Sequence, residues 1–250
     1  LKCLIVGGFE KVYEIGKSFR NEGIDYAHNP EFTMFELYWA YADKEQFISF
    51  LEELIATIIR ESMGSLTVAY QGGTIDFSPS WKRITFRDAI IESCGIDIDL
   101  LKTPTDVYEA TKRAGLSVDY AGCVGMGEYF DVLYKKTARA KITSPVWVLD
   151  YPSELKPLAK RSSEDPTKSS SVQLVVHGAE IVNAYYHELN DPIDQFERFS
   201  QQQSLRDQGS DEAQWMDTEF VSALEHGMPP TSGVGIGIDR LVAFLTDATS

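Results

Sequence analysis

Cysteine is scarce in this chain: three residues among 250, Cys3, Cys94 and Cys123. An odd number, widely spaced and without a C-x-x-C pair, supports neither a disulfide framework nor a cysteine zinc site, and makes a reducing compartment the default. Ten prolines and 18 glycines are too few for a collagen-like or low-complexity chain. No apolar run reaches the roughly 18 residues that a membrane helix needs, so no membrane partner is expected. Positive charge is also short: 23 Lys and Arg against 38 Asp and Glu leave a net charge of -15. Such a surface does not coat a nucleic acid, and any RNA contact has to be local. The histidines, His28, His177, His187 and His226, lack H-E-x-x-H spacing, and no G-x-S-x-G elbow occurs, which sets aside zinc-protease and serine-hydrolase chemistry.

What is present is a globular composition, 43% hydrophobic and 24% charged, enough for one large core or two smaller ones. Leu1 to Val6 is an apolar strand candidate with no charged leader, so the expectation is a fragment without a signal peptide and with an upstream portion missing. Val12 to Phe19 and Phe32 to Tyr41 read as strands of a hairpin around the polar segment Arg20 to Asp25. Lys44 to Met63 has apolar residues at helical spacing, with Gly64 as its stop. Residues 66 to 77 form a small hairpin around Gln71-Gly72-Gly73, and about 80 to 145 reads as a mostly helical insertion. The Ser- and Pro-rich stretch Arg161 to Ser171 reads as a surface loop inside one domain. Strand character returns at Val146 to Leu149, Leu174 to Val176 and Ala179 to Leu189, the last two turning at His177-Gly178. Helices then start at Asp191-Pro192 and at about Asp217, the latter capped by Gly227. This order predicts an α+β fold, an antiparallel sheet flanked by helices.

Two stretches carry chemistry. In Phe32 to Tyr41 a period of two puts Phe35, Leu37, Trp39 and Tyr41 on one face and Phe32, Met34, Glu36 and Tyr38 on the other. A carboxylate among apolar residues is costly unless paired, so Glu36 sits either in an internal salt bridge or on a solvated face, or in a pocket for a cationic ligand. Gly233-Val234-Gly235-Ile236-Gly237-Ile238-Asp239-Arg240 precedes an apolar helical pattern but lacks the Gly-Lys-Ser/Thr of a phosphate-binding Walker loop. Arg240 in a first helical turn opposes the helix dipole by about 0.3 to 1 kcal/mol unless an anion is near, either Asp239 or a bound phosphate.

Phe19-Arg20-Asn21-Glu22-Gly23-Ile24-Asp25, then His28-Asn29-Pro30-Glu31-Phe32-Thr33 and Glu36, resembles motif 2 of the class II lysyl-tRNA synthetases, and Gly233 to Leu245 resembles their motif 3. The likeness extends to Val6 to Glu10, to Glu188-Leu189-Asn190-Asp191-Pro192 and to Ala223 to Thr231, and is weakest from about 66 to 140. The resemblance implies a class II aminoacyl-tRNA synthetase catalytic domain with a six-stranded antiparallel sheet, truncated so that motif 1, the N-terminal OB-fold and an upstream glutamate of the lysine site lie outside it. It implies a cytoplasmic homodimer that uses ATP with Mg2+, L-lysine and tRNA(Lys), makes lysyl-adenylate and passes the lysyl group to the tRNA.

By the same resemblance Arg20 and Arg240 are the catalytic cations: Arg20 contacts the α-phosphate, and Arg240 and His28 the γ end. Phe32 stacks on adenine with Glu22 nearby, and Gly237 belongs to the ATP site. Glu36, Tyr38 and Glu188 face the ε-ammonium of lysine, with Asn183 beside them. Glu180 helps to hold magnesium. Where the family has a second metal-binding Glu, in Arg-Phe-Glu, this chain has Ser171-Val172-Gln173, and a neutral Gln173 is a poorer cation ligand. Asn183 and Glu188 are five apart where the family has four, which predicts a β-bulge between Ala184 and His187 that keeps both on the side of Glu36 and Tyr38. Two rival readings remain: a paralogue that transfers an activated amino acid to a protein lysine, and a non-catalytic class II-like module.

Overall fold

The structure is a computed structural model that describes residues 1–20, 29–123, 125–156, 158–207 and 214–248. Its frame is a sheet of seven strands in the order β1-β2-β9-β8-β7-β6-β5. These are β1 (Lys11–Phe19), β2 (Glu31–Ala40), β5 (Lys82–Thr85), β6 (Val146–Leu149), β7 (Ser171–Val176), β8 (Ala179–Tyr185) and β9 (Thr231–Gly237). A separate hairpin pairs β3 (Thr67–Tyr70) with β4 (Gly73–Asp76). Six strands pair antiparallel, as the resemblance implied, but a seventh, β5, adds parallel to β6 at the edge. The sequence reading missed β5 because Lys-Arg-Ile-Thr is too short and too charged to show an alternation.

The helices are α1 (Lys2–Val6), α2 (Lys44–Met63), α3 (Phe86–Cys94), α4 (Pro104–Arg113), α5 (Met126–Thr137), α6 (Pro192–Asp207), α7 (Thr218–Glu225) and α8 (Ile238–Leu245). Helix α2 has the predicted bounds for physical reasons. The Asp43 carboxylate accepts from the Gln46 amide at 2.8 Å, Gly64 closes the end at φ 71°, and Phe47, Ile48, Leu51, Ile55 and Ile59 form a buried stripe. Each fully buried Ile or Leu contributes roughly 1.5 to 3 kcal/mol. The turns at Gln71-Gly72 and His177-Gly178 have both φ angles positive, as tight two-residue hairpins require.

Four expectations need correction. Leu1 to Val6 forms α1 rather than a strand, because a short apolar run has no period to distinguish the two. Tyr41 has left β2, with φ 63°, and is exposed instead of facing the core. The C-cap of α7 is His226, and Gly227 follows it at φ 97°. The stretch 161–171 is not wholly a surface loop, since Ser169, Ser170 and Ser171 are buried at its end.

The two sheet faces have different covers. Phe35, Leu37, Trp39, Val172, Leu174, Val182, Ala184, Val234 and Ile236 join the largest core with α2 and α8. On the opposite face Val148 and Val175 join a second core built by α3, α4 and α5. On that face Val12 and Ala40 meet Ile5 of α1 and Leu224 of α7. Between these two covers the middle of the face, on β2, β9 and β8, carries the polar residues.

Candidate active site

Strand register fixes which side chains share this middle ground. Gln173 pairs with Asn183, Asn183 with Gly235, Gly235 with Glu36, and Glu36 with Glu14. Residues paired across strands point to the same face, so these five form one row. The next row joins Tyr185, Gly233 and Tyr38, and on the other side Gly237 pairs with Met34. Gly233, Gly235 and Gly237 therefore line up at period two along the centre of the face, a trough floor without side chains. A Cβ on Gly233 would lie 2.7 Å from Tyr38 Cε1 and would collide with Glu188 Oε1. The motif that resembled a weak phosphate loop is a strand whose glycines clear space. Sequence reading did not assign it as a strand because glycine is a poor strand former.

One end of the trough is acidic. Glu188 is buried, its carboxylate lies with Tyr38 above Gly233, and it pairs with Lys2 of α1 at 2.7 Å. The Lys2 ammonium also lies 5.6 Å from the Tyr38 ring centroid. Burial, then the charges of Glu188 and Glu36, push the Tyr38 phenol far above its ordinary range. Burial, then Glu188, push Tyr185 up to about 12. Glu14 and Glu36 face one another across β1 and β2, an arrangement of like charges that is unfavourable without a cation. With Gly16, Lys17, Ser18 and Met34 they line an open depression of about 150 Å³.

The other end carries guanidinium groups. Arg20, after β1, stacks over the Phe32 ring at 5.2 Å, and its amide donates to Pro30 O at 2.9 Å. Arg240, in the first turn of α8, donates to the Glu180 carbonyl at 3.3 Å. The Asp239 carboxylate accepts from the Thr33 amide at 2.5 Å, which ties the start of α8 to β2. Gly237 is the N-cap of α8. Glu22 and His28 lie outside the described residues.

The middle differs from expectation. The bulge in the β7 and β8 pairing falls between Leu174 and Val175, where Glu180 and Val182 are successive partners and Ile181 is extra. It therefore precedes Asn183, and its effect is to put Glu180 on the face of Asn183 although they are three apart. The regular pairing with β9 stops at Tyr185 opposite Gly233, and Tyr186-His187 make a bend. Glu188 N then donates to Thr231 O at 2.7 Å, where an unbroken ladder would bring residue 187. The bend absorbs the extra residue, so Asn183 and Glu188 both face Tyr38 and Glu36.

Gln173 and Glu180 share this face, and the Gln173 side chain is engaged with its neighbours. The Gln173 amide nitrogen donates to Asn183 Oδ1 at 3.3 Å, and Lys156 Nζ donates to the same oxygen at 3.2 Å. Lys156 also lies 5.3 Å from the Tyr151 ring centroid. Burial pushes its ammonium below the ordinary lysine range, opposed by the charges of Glu180 and Asp131. A divalent ion wants anionic oxygens, and here an amide NH2 and an ammonium occupy the Gln173 side. Among the described residues no group of three or more His, Cys, Asp or Glu side chains could hold a metal ion. Lys156, Lys2, Glu14 and Tyr185 were not among the residues read from sequence. Lys156 follows a 3₁₀ turn, Ser153–Leu155, with no periodicity to expose it, and the neutral Gln173 was the one hint of a changed charge balance.

A family model described as tRNA synthetases class II (D, K and N) matches residues 1–250. Among curated proteins, the chain is 46% identical over 250 residues to a lysine–tRNA ligase of Pelotomaculum thermopropionicum, covering 100% of this chain and 49% of that protein. It is 47% identical over 250 residues to one of Carboxydothermus hydrogenoformans (100% and 51%) and 49% identical over 250 residues to one of Roseiflexus castenholzii (100% and 50%). The chain spans about half the length of the curated relatives it matches.

Proposed function

We propose, from the premise that the chain belongs to the class II tRNA synthetases (D, K and N), that it is the catalytic portion of a lysine–tRNA ligase. One observation carries the reading: Glu36 and Glu188 converge on Tyr38 at one end of a glycine-floored trough whose other end holds Arg20 and Arg240. An extended molecule with an ammonium at one end and a reacting carboxylate at the other fits that polarity, with a triphosphate beyond it.

In this reading Glu36, Tyr38 and Glu188 receive the ε-ammonium of L-lysine, with Asn183 alongside. The lysine carboxylate then attacks the α-phosphorus of ATP, the bond to pyrophosphate breaks, and lysyl-adenylate forms. A terminal ribose hydroxyl of tRNA(Lys) next attacks the lysyl carbonyl and releases AMP. The reaction needs positioning and positive charge more than a base, and the trough offers both. Arg20 holds the α-phosphate and Phe32 the adenine. Arg240, at Gly237, holds the far phosphates with His28, and Glu22 lies by the adenine. Magnesium would come with ATP and have Glu180 as its carboxylate, whereas the Gln173 side does not fit an ion. The protein is taken to work in the cytoplasm as a homodimer. The exposed apolar side chains Tyr13, Ile15 and Phe19 on the sheet-edge strand β1 support association.

No helix among the described residues is long and apolar enough to cross a membrane. That all three relatives are lysine–tRNA ligases favours charging of tRNA over transfer to a protein lysine and over a non-catalytic module. The test is ATP–pyrophosphate exchange by the full-length protein with each amino acid in turn. Exchange that depends on lysine supports the reading, and none with lysine overturns it.

A further inference from the structure

The centre of the trough contains a positive charge that the functional reading above leaves unused. Lys156 reaches it from the segment after the Ser153–Leu155 turn, which is seated by a close approach to α5. A Cβ on Gly127 would lie 2.9 Å from both the carbonyl carbon and the oxygen of Glu154. The ammonium is fixed by Asn183 Oδ1 at 3.2 Å and by the face of Tyr151, within the electrostatic reach of Glu180. Gln173 donates to the same Asn183 oxygen, so both lone pairs of that acceptor are used by protein donors. A carboxylate at 173 with no lysine nearby would leave two acidic side chains, 173 and 180, facing an unneutralised gap. A neutral amide with a lysine balances Glu180 without an ion, the net charge that two carboxylates reach only with a divalent ion bound.

We propose that Lys156 is a resident cation of the site, standing in for a divalent ion on the Gln173 side. Lys156 and Gln173 act as a matched pair, one supplying the charge and the other withdrawing the carboxylate that would have called for metal. The triphosphate then meets a covalently tethered ammonium, and the protein binds one divalent ion fewer than it would with Glu at 173 and no lysine at 156. This rests on the reading of the trough as an ATP-dependent activation site.

Two measurements on the full-length protein decide it. The first counts Mn2+ bound per site by electron paramagnetic resonance with a non-hydrolysable ATP analogue, in wild type, Gln173→Glu, and Lys156→Ser combined with Gln173→Glu. The double variant should gain one ion over wild type. Gln173→Glu alone should gain none, because the new carboxylate pairs with Lys156. Equal counts in wild type and double variant, or an added ion in the single variant, would overturn the proposal. If the double variant does not fold, the single variant still decides.

The second measurement is the Mg2+ dependence of pyrophosphate exchange. Lys156→Met should lower kcat by about tenfold or more, Lys156→Arg should keep most of it, and excess Mg2+ should not rescue Lys156→Met while Gln173 remains. An unchanged kcat in Lys156→Met would equally defeat the role. Absence of exchange with every amino acid would reject the activation reading itself, while the Mn2+ count would still judge the charge substitution.

Discussion

Glu36 occupies a strand position where alternation alone made a carboxylate conspicuous, and the register shows why it stays. It is opposed by Glu14, shares its face with Glu188, and borders a phenol whose ionisation both acids suppress. Glu36→Gln removes charge while keeping shape, and should cost lysine activation about 1.5 to 3 kcal/mol, roughly ten- to hundredfold in kcat/KM. ATP binding should be little changed. An unaltered KM for lysine in the exchange assay would remove Glu36 from the pocket. In the proposed reaction Arg20 has the opposite task, since charge on the α-phosphate would grow towards the transition state. Arg20→Ala should lower kcat by about a hundredfold or more and weaken ATP binding far less. Equal losses in both would make Arg20 only a ground-state anchor. Glu36, Tyr38 and the guanidinium residues were legible in sequence because strand period and motif spacing expose them. Lys156 and Lys2 were not, because each reaches the trough from an element whose place is set by tertiary packing. Lys156 sits in an irregular segment held against α5, and Lys2 in a five-residue helix held by α7.

Among elements, β9 connects fold and site most directly. Its odd-numbered glycines form the trough floor while Val234 and Ile236 enter the core behind it, so one strand serves solvent and interior by alternation. Gly233→Ala should leave the ladder intact, because the added methyl meets the Glu188 carboxylate and the edge of the Tyr38 ring and not backbone. The protein should remain folded by circular dichroism, but its KM for lysine should rise about tenfold or more as the carboxylate and the ring are pushed aside. A wild-type KM would show that Tyr38 and Glu188 do not define the pocket. The helix α2 and the hairpin turns were readable because caps and φ-positive pairs are local. Strands β5 and β9 were not, one for want of length and the other for want of side chains. The parity of Asn183 and Glu188 called for an extra residue between Ala184 and His187, and a bend takes it up there, whereas the bulge ahead of Asn183 has no bearing on that parity and left no mark in the sequence. The pairing with β7 put that bulge at Ile181, and the end of the β9 pairing put the bend at Tyr186-His187.

Seen whole, the molecule has two large cores that share strands. Trp147, Leu149, Val172 and Leu174 face the α2 side, while Val148 and Val175, from the same two strands, face α3 to α5. The buried Glu52 carboxylate of α2 adds a tie, accepting from Trp147 Nε1 at 2.9 Å and from the Trp81 amide at 3.3 Å. Neither core can melt without stripping β6 and β7 from the other. Urea unfolding should therefore be one transition, coincident by near-ultraviolet and far-ultraviolet circular dichroism. Separated midpoints would mean that the helical segment 86–137 unfolds alone. The glycine row has a further, metric consequence. From Gly233 to Gly237 the strand advances about 3.4 Å per residue, a fixed gauge whose marks are Glu188 at one end and Arg240 at the other. A rigid gauge rejects by length as well as by charge. Ornithine, one methylene shorter, cannot set its ammonium on the first mark and its carboxylate at the phosphate together, and its kcat/KM should fall about 10- to 200-fold below that of lysine. Equal use of the two amino acids would show that the sheet is a platform and measures nothing.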